Sequence, residues 1–264
     1  MLKFFHASRA SQGARPYQED AAAVWPGQGE LVPDADPDRL PEGVALVAVL
    51  ADGMGGHAGG ALASATICSA FLAHFVAADG DGRGRLMPSL QAANRAIGEK
   101  VRDDPALAGM GATLVGVSIG PQGLSWVSVG DSPMYLFRAG DLEQLNDDHS
   151  LAPLIDRMVA QGKMTPEQAR ADPRRHYLRS AVTGEEMELI DAPERMLELA
   201  PGDLVIVSSD GIHSLDEEAI RAVVAEQAGN GPKAIADALV EAVDAMGEPH
   251  QDNTTVVVIS VEDL

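Results

Sequence analysis

The stretch Leu50-Ala-Asp-Gly-Met-Gly-Gly-His-Ala-Gly-Gly60 joins an apolar run, Val44–Leu50, to an alanine-rich segment. The run is short, Val-rich and uncharged, which predicts a buried strand, and the alanines beyond it predict a helix. Five glycines crowd the junction around one aspartate, Asp52, and one histidine, His57. Glycines between a strand and a helix commonly cradle phosphate on backbone N–H groups. Asp52 would repel such an anion, so the junction poses the question of what it binds.

Similar apolar runs at Leu114–Ile119, Leu124–Val129, Met134–Phe137, Leu204–Val207 and Thr255–Val261 read as further strands. Leu86, Leu90, Ala93, Ile97 and Val101 recur at helical spacing, as do Ile220, Val223 and Val224, and Ile235, Leu239, Ala242 and Met246. A strand and two helices precede several consecutive strands, and helices and a last strand follow. That order predicts an α+β fold rather than a regular βαβ winding. Gly-Pro-Gln-Gly at 120–123 predicts a hairpin, and Pro26–Gly43 a surface loop. A second irregular stretch spans roughly Asp148–Glu186, with a short helix starting at Thr165-Pro-Glu-Gln. With no repeat, low-complexity tract or linker, residues 1–264 are expected to form a single domain.

Aspartates recur beside these runs. Asp52, Asp131 and Asp210 each follow one; Glu19 and Asp20 precede Ala-Ala-Ala-Val-Trp, and Asp252 precedes Thr-Thr-Val-Val-Val. A turn aspartate is ordinary, but five such placements suggest carboxylates converging at one end of a sheet. Two carboxylates about 4 Å apart repel by roughly 4 kcal/mol at an effective dielectric of 20. Such a cluster needs cations, and hard oxygen ligands without Cys or His favour Mg²⁺ or Mn²⁺ over Zn²⁺. Two such ions acidify a shared water. Arg15, four residues before Glu19, either grips phosphate oxygens beside that cluster or balances its charge.

Composition narrows the partners. Hydrophobic residues make up 45% and charged residues 22%, and 19 basic residues against 40 acidic ones give a formal net charge of −21. That balance excludes nucleic acid and anionic lipid as main partners, both of which need a basic face. A single cysteine, Cys68, cannot form an intrachain disulfide and sits among apolar neighbours. The start of the chain has no signal-peptide core and no apolar run approaches bilayer length, so a cytoplasmic protein without a membrane span is expected.

The motifs Arg15-Pro-Tyr-Gln-Glu-Asp20, Ala51-Asp-Gly-Met-Gly-Gly-His57, Gly111-Ala-Thr113, Val129-Gly-Asp-Ser132, Asp148-His-Ser150, Leu178-Arg-Ser-Ala-Val-Thr-Gly184, Ser209-Asp-Gly211 and Asp252-Asn253 run through nearly the whole chain. In that order they resemble the type 2C metal-dependent protein serine/threonine phosphatases in their bacterial form. The resemblance implies a four-layer α/β/β/α sandwich, two antiparallel sheets flanked by helices, with metals at one edge. It implies two Mn²⁺ or Mg²⁺ ions: Asp52 bridging them, the Gly53 carbonyl completing one site, Asp210 and Asp252 holding the other. Asp20 would act in the first or a water-mediated shell, Glu19 beside it, and Asp131 would hold a third metal. Arg15 would bind phosphate and His57 would protonate the leaving group. The implied reaction is hydrolysis of phosphoserine or phosphothreonine by direct attack of a metal-bridging hydroxide. Phosphorylated proteins, among them a cognate kinase or its substrates, would be the partners.

Two departures stand out. Pro133 replaces an arginine common after Gly-Asp-Ser, removing a cation and a backbone donor, and Gln18 replaces a common Asn. The stretch 148–186 matches a flap beside the family's active site, with Arg174-Arg-His176 on it, though solvated charge explains those arginines equally well. Of the other histidines only His149, in Asp-His-Ser, draws attention. Two alternatives remain: a pseudophosphatase that binds phosphoprotein without hydrolysing it, and a dinucleotide-binding turn at 53–59. Intact acidic ligands oppose the first, and Asp52 opposes the second.

Overall fold

The central strands are apolar on both faces because both faces are covered. The computed structural model describes residues 2–26, 40–55 and 58–263. The first sheet has the order β2-β3-β5-β6, from Asp20–Trp25 (β2), Leu46–Met54 (β3), Leu114–Gly120 (β5) and Gly123–Val129 (β6); a short strand, Gly111–Ala112 (β4), pairs with β3. The second has the order β1-β10-β9-β7-β8, from Leu2–Ser11 (β1), Met134–Arg138 (β7), Asp141–Gln144 (β8), Leu204–Ser208 (β9) and Thr254–Asp263 (β10). All the pairings are antiparallel.

Residue alternation assigns each side chain to a layer. In β3, Val47, Val49 and Ala51 face the helices Ala58–Ala77 (α1) and Gly82–Asp103 (α2), while Leu46, Ala48 and Leu50 face the other sheet. In β10, Val257 and Ile259 join that inter-sheet core, while Val256 and Val258 pack toward Glu217–Gln227 (α5) and Pro232–Ala245 (α6). The result is the expected four-layer α/β/β/α sandwich. The hairpin at 120–123 forms as predicted, Gly120 opposite Gly123.

Four expectations are corrected. Leu2–Ser11 is a full strand paired along its length with β10. Its polar residues hid it, and polar residues are common on an edge strand. The stretch 148–186 is not merely irregular: Ala152–Ala160 is a helix (α3), followed by Pro166–Arg170 (α4) with the predicted capping box at Thr165 and Gln168. In α6, Met246 lies past the helix end and is 51% exposed, whereas Val240 and Val243 are buried. Finally, Gly59–Ala77 is long and apolar enough, by length and composition, to cross a membrane. Its Ile67, Cys68, Phe71 and Phe75 are buried in the core between α1, α2 and β3, so its apolarity is accounted for by packing.

The expected surface loop Pro26–Gly43 falls largely outside the described residues, as does His57.

Candidate active site

Strand register brings the first two acids together. Asp20 opens β2 and pairs directly with Asp52 in β3. Asp52 therefore lies inside a strand, not in a loop after it: β3 continues past Leu50 because β2 supports one side and β4 the other, with Gly53 opposite Ala112. Like charges directly opposite on one face are destabilising, so the pair is tolerated for a reason other than stability. By alternation Asp52 follows Leu50 onto the face turned toward the second sheet.

The second sheet contributes the other acids from the same end. Asp210 follows β9 and Asp252 precedes β10, and these two strands are antiparallel neighbours. Asp131 follows β6 after a turn at Gly130. Asp52, Asp131, Asp210 and Asp252 line one cavity of about 830 Å³ together with Arg15 and Glu19. The two sheets thus deliver these five predicted acids to a single cleft, while Asp20 does not line it and is tied to it through its pairing with Asp52.

Electrostatics within the cleft are those of uncompensated anions. Burial, reinforced by Asp210, Asp20 and Asp131, holds the Asp52 carboxyl well above the usual range. Burial pushes Asp20 up to about 6, against a hydrogen bond from Ser209. Burial, with Asp210 and Asp148 nearby, pushes Asp131 up to about 8. Asp210 is raised by burial and by Asp252, partly offset by nearby His213. Arg15 donates from its guanidinium to Asp252 Oδ2 at 2.5 Å.

The donor set fits divalent cations. Glu19 Oε1 and Asp20 Oδ1 are buried without any hydrogen-bond partner. Unsatisfied buried carboxylate oxygens are costly, and hard cations satisfy them. No three acid, His or Cys side chains are already drawn into a coordination sphere among the described residues.

The glycines serve packing at this end. A Cβ on Gly60 would stand 2.3 Å from Glu19 Oε1, and one on Gly53 would stand 2.4 Å from the Glu19 carbonyl. The first turn of α1 can therefore press against the end of β3 with Glu19 held between them. Gly53 N donates to that carbonyl at 3.1 Å.

Hydroxyls and amides that carried no assigned role in the sequence organise the acids. Asp52 N donates to Thr113 Oγ1 (3.0 Å), which shares a 2.7 Å hydrogen bond with Ser132 Oγ. Ser209 Oγ donates to Asp20 Oδ2 (2.7 Å) and accepts from Thr255 N (2.9 Å). Asn253 takes three hydrogen bonds with the segment carrying Arg15 and Glu19. All lie in quoted motifs, but their partners are far away in sequence, so spacing could not reveal the links.

Pro133 is accommodated. Asn146 accepts from Met134 N and donates to Ser132 O, satisfying the backbone on both sides of the proline. His149 is buried, its Nδ1 accepting from Gly130 N at 3.3 Å, and burial lowers its pKa. It braces the turn before Asp131. On the flap, Arg174 pairs with Asp172 and Arg175 with Asp156, so both cations are engaged locally; His176 and Tyr177 reach the cavity.

Comparisons with known proteins agree with this geometry. A family model described as protein phosphatase 2C matches residues 34–244. The serine/threonine protein phosphatase PstP of Mycobacterium tuberculosis is 36% identical over 237 residues, covering 88% of this chain. The chain spans only 43% of that relative's length. A crystal structure of M. tuberculosis PstP superposes with a TM-score of 0.76 at 31% identity, covering 98% of this chain and 99% of that one. The PstP catalytic domain in complex with two manganese ions gives a TM-score of 0.75 at 30% identity, with full coverage of both chains. The sandwich fold is thus shared with these phosphatases, and the chain belongs to the protein phosphatase 2C family.

Proposed function

We propose that this chain is a metal-dependent protein phosphatase that hydrolyses phosphoserine and phosphothreonine. The observation that carries the proposal is the convergence of Asp52, Asp210 and Asp252 from two sheets onto one cleft beside Arg15, with Asp20 paired directly across from Asp52.

Asp52, the Gly53 carbonyl, Asp210 and Asp252 would hold two divalent cations, with Asp20 acting directly or through water, and Asp131 with Asp210 would hold a third. Glu19 supports the first site from beside it. Bound there, Mn²⁺ or Mg²⁺ supplies Lewis acidity toward phosphoryl oxygens and lowers the pKa of water. The net reaction breaks the bond between phosphorus and the serine or threonine oxygen and adds water to phosphorus. Arg15 turns its guanidinium from Asp252 to two phosphoryl oxygens and stabilises charge that grows on them. The departing alkoxide is a poor leaving group, and His57, next to the glycine-rich turn, protonates it. Ser209 holds the Asp20 carboxylate, and Thr113, backed by Ser132, fixes the Asp52 backbone.

The intact acids and the accommodated Pro133 favour a working enzyme over a pseudophosphatase. The proposal extends to a cytoplasmic signalling role opposite a serine/threonine kinase, supported by family analogy. The deciding experiment is hydrolysis of a phosphothreonine peptide with and without Mn²⁺. Turnover that EDTA abolishes is expected; no turnover by metal-replete protein on any phosphopeptide or aryl phosphate overturns the proposal.

A further inference from the structure

The segment between β1 and β2 has no regular structure, yet it must hold Arg15 at a fixed height above the acids. Asn253, buried at 3% exposure, grips that segment at both ends. Its Nδ2 donates to Gln12 O at 2.8 Å and to Tyr17 O at 3.0 Å, and its Oδ1 accepts from Glu19 N at 2.7 Å. Arg15 lies midway between these anchor points. Asn253 is itself fixed, because it leads directly into β10 in the middle of the fold.

We infer that Asn253 is the positioning residue for the phosphate-binding arginine. This rests on the proposed phosphatase reading but assigns a residue and a role beyond it. Only a planar amide matches the three groups it meets: two carbonyls require donors and one N–H requires an acceptor. A carboxylate at the same place would keep the Glu19 contact and turn lone pairs toward the carbonyls of Gln12 and Tyr17. Other contacts fasten the segment near its start, where Ala14 N donates to Gln251 O (2.9 Å) and Gln12 Nε2 donates to Arg15 O (2.7 Å). Asn253 closes it on the far side, ahead of Glu19, whose carbonyl in turn accepts from Gly53 N. The Gln18 amide also spans the segment, donating to Ser11 O at 3.2 Å and accepting from Asp20 N at 3.0 Å; Asn253 is the amide that ties it to β10 and, through Glu19, to the strand that carries Asp52.

A second route is open to the same residue, because its backbone N–H donates to Asp252 Oδ1 at 2.8 Å. That bond survives side-chain substitution, which allows the two routes to be separated.

The test is a double-mutant cycle between Asn253→Ala and Arg15→Ala, with Asn253→Asp as the shape-conserving variant. Three readouts are taken on the Mn²⁺-loaded protein: kcat and KM on a phosphothreonine peptide, affinity for inorganic phosphate by calorimetry, and Mn²⁺ affinity. Asn253→Ala and Asn253→Asp are each expected to lower kcat/KM and weaken phosphate binding by up to about 100-fold, the scale of a small misplacement of a binding group. With Arg15 already removed, Asn253→Ala is expected to change either by no more than about twofold. Mn²⁺ affinity of Asn253→Ala should stay near that of the unmodified protein, while Asn253→Asp, which turns a buried carboxylate toward two carbonyls, should melt lower. Additive losses in the cycle, or Mn²⁺ affinity falling in step with activity, overturn the inference. An inactive unmodified protein would count against the phosphatase reading instead, and the phosphate-affinity cycle would still decide the role of Asn253.

Discussion

Aspartates do opposite work in two parts of this molecule. On the flap, Arg174 holds the Asp172 carboxyl down to about 2, and Arg175 holds Asp156 below the usual range. In the cleft, burial and neighbouring acids push Asp131 up to about 8 and raise Asp20, Asp52 and Asp210. On the flap, Asp156, Glu167 and Asp172 each pair with an arginine from their own neighbourhood. The cleft gathers anions from strands distant in sequence and sets them against two lining arginines, Arg15 and Arg179. Where charge is matched the chain needs nothing further; where it is concentrated, it needs a ligand. The difference shows that the cleft is arranged for binding at the expense of stability.

The largest effect should come from the cleft. Removing the metal with EDTA is expected to abolish turnover on a phosphothreonine peptide, with recovery on adding Mn²⁺. Asp210→Asn should lower kcat by about 100-fold or more, the scale on which placed electrostatic groups act. Near-normal kcat in that variant would break the contrast, since it would make the buried acids dispensable.

His57→Ala should slow phosphopeptides by about 100-fold, while aryl phosphates, whose leaving groups need less protonation, should lose much less. Equal losses on both substrates would remove His57 as the proton donor.

Stability offers a smaller but cleaner comparison. In metal-free protein Asp131→Asn should raise the melting temperature, by about 2–4 °C for each ~1 kcal/mol of relieved repulsion. The pH dependence has a definite sign. The folded-state pKa of Asp131 is raised to about 8, so between about pH 4 and pH 8 the folded chain keeps a proton that the unfolded chain has released. Stability of the metal-free protein should therefore fall as pH rises through that window, and saturating Mn²⁺ should flatten the slope. A flat profile in EDTA would show that the cleft acids do not oppose folding.

The smallest effect belongs to the flap. Arg175→Ala breaks a partly exposed pair with Asp156 and should cost about 1 kcal/mol or less. A thermal shift as large as that of a cleft substitution would erase the distinction between the two regions.

Much of the fold was legible because period-two alternation and helical spacing are local signals. The runs at Leu114–Ile119 and Thr255–Val261 lie within strands β5 and β10, and that at Val44–Leu50 overlaps β3 from Leu46. The edge strand β1 escaped because only one of its faces meets the core: Phe4 packs inward while Phe5 is 45% exposed. α1 was legible as a helix, but its burial depended on α2 and β3 arriving from elsewhere. The acids of the site were legible as residue types beside strands, and Arg15 as their neighbour.

By itself the sequence determined the inventory: which segments alternate, which acids stand beside them, and the order of motifs that marks the family. Tertiary structure alone decided that Asp20 stands directly across from Asp52, that β9 and β10 bring Asp210 and Asp252 to the same end, and that Asn253 reaches Gln12, Tyr17 and Glu19. The physical reason is range. Propensity and periodicity act over a few residues, whereas strand register joins groups more than two hundred positions apart, and charge repulsion has no meaning until that register exists.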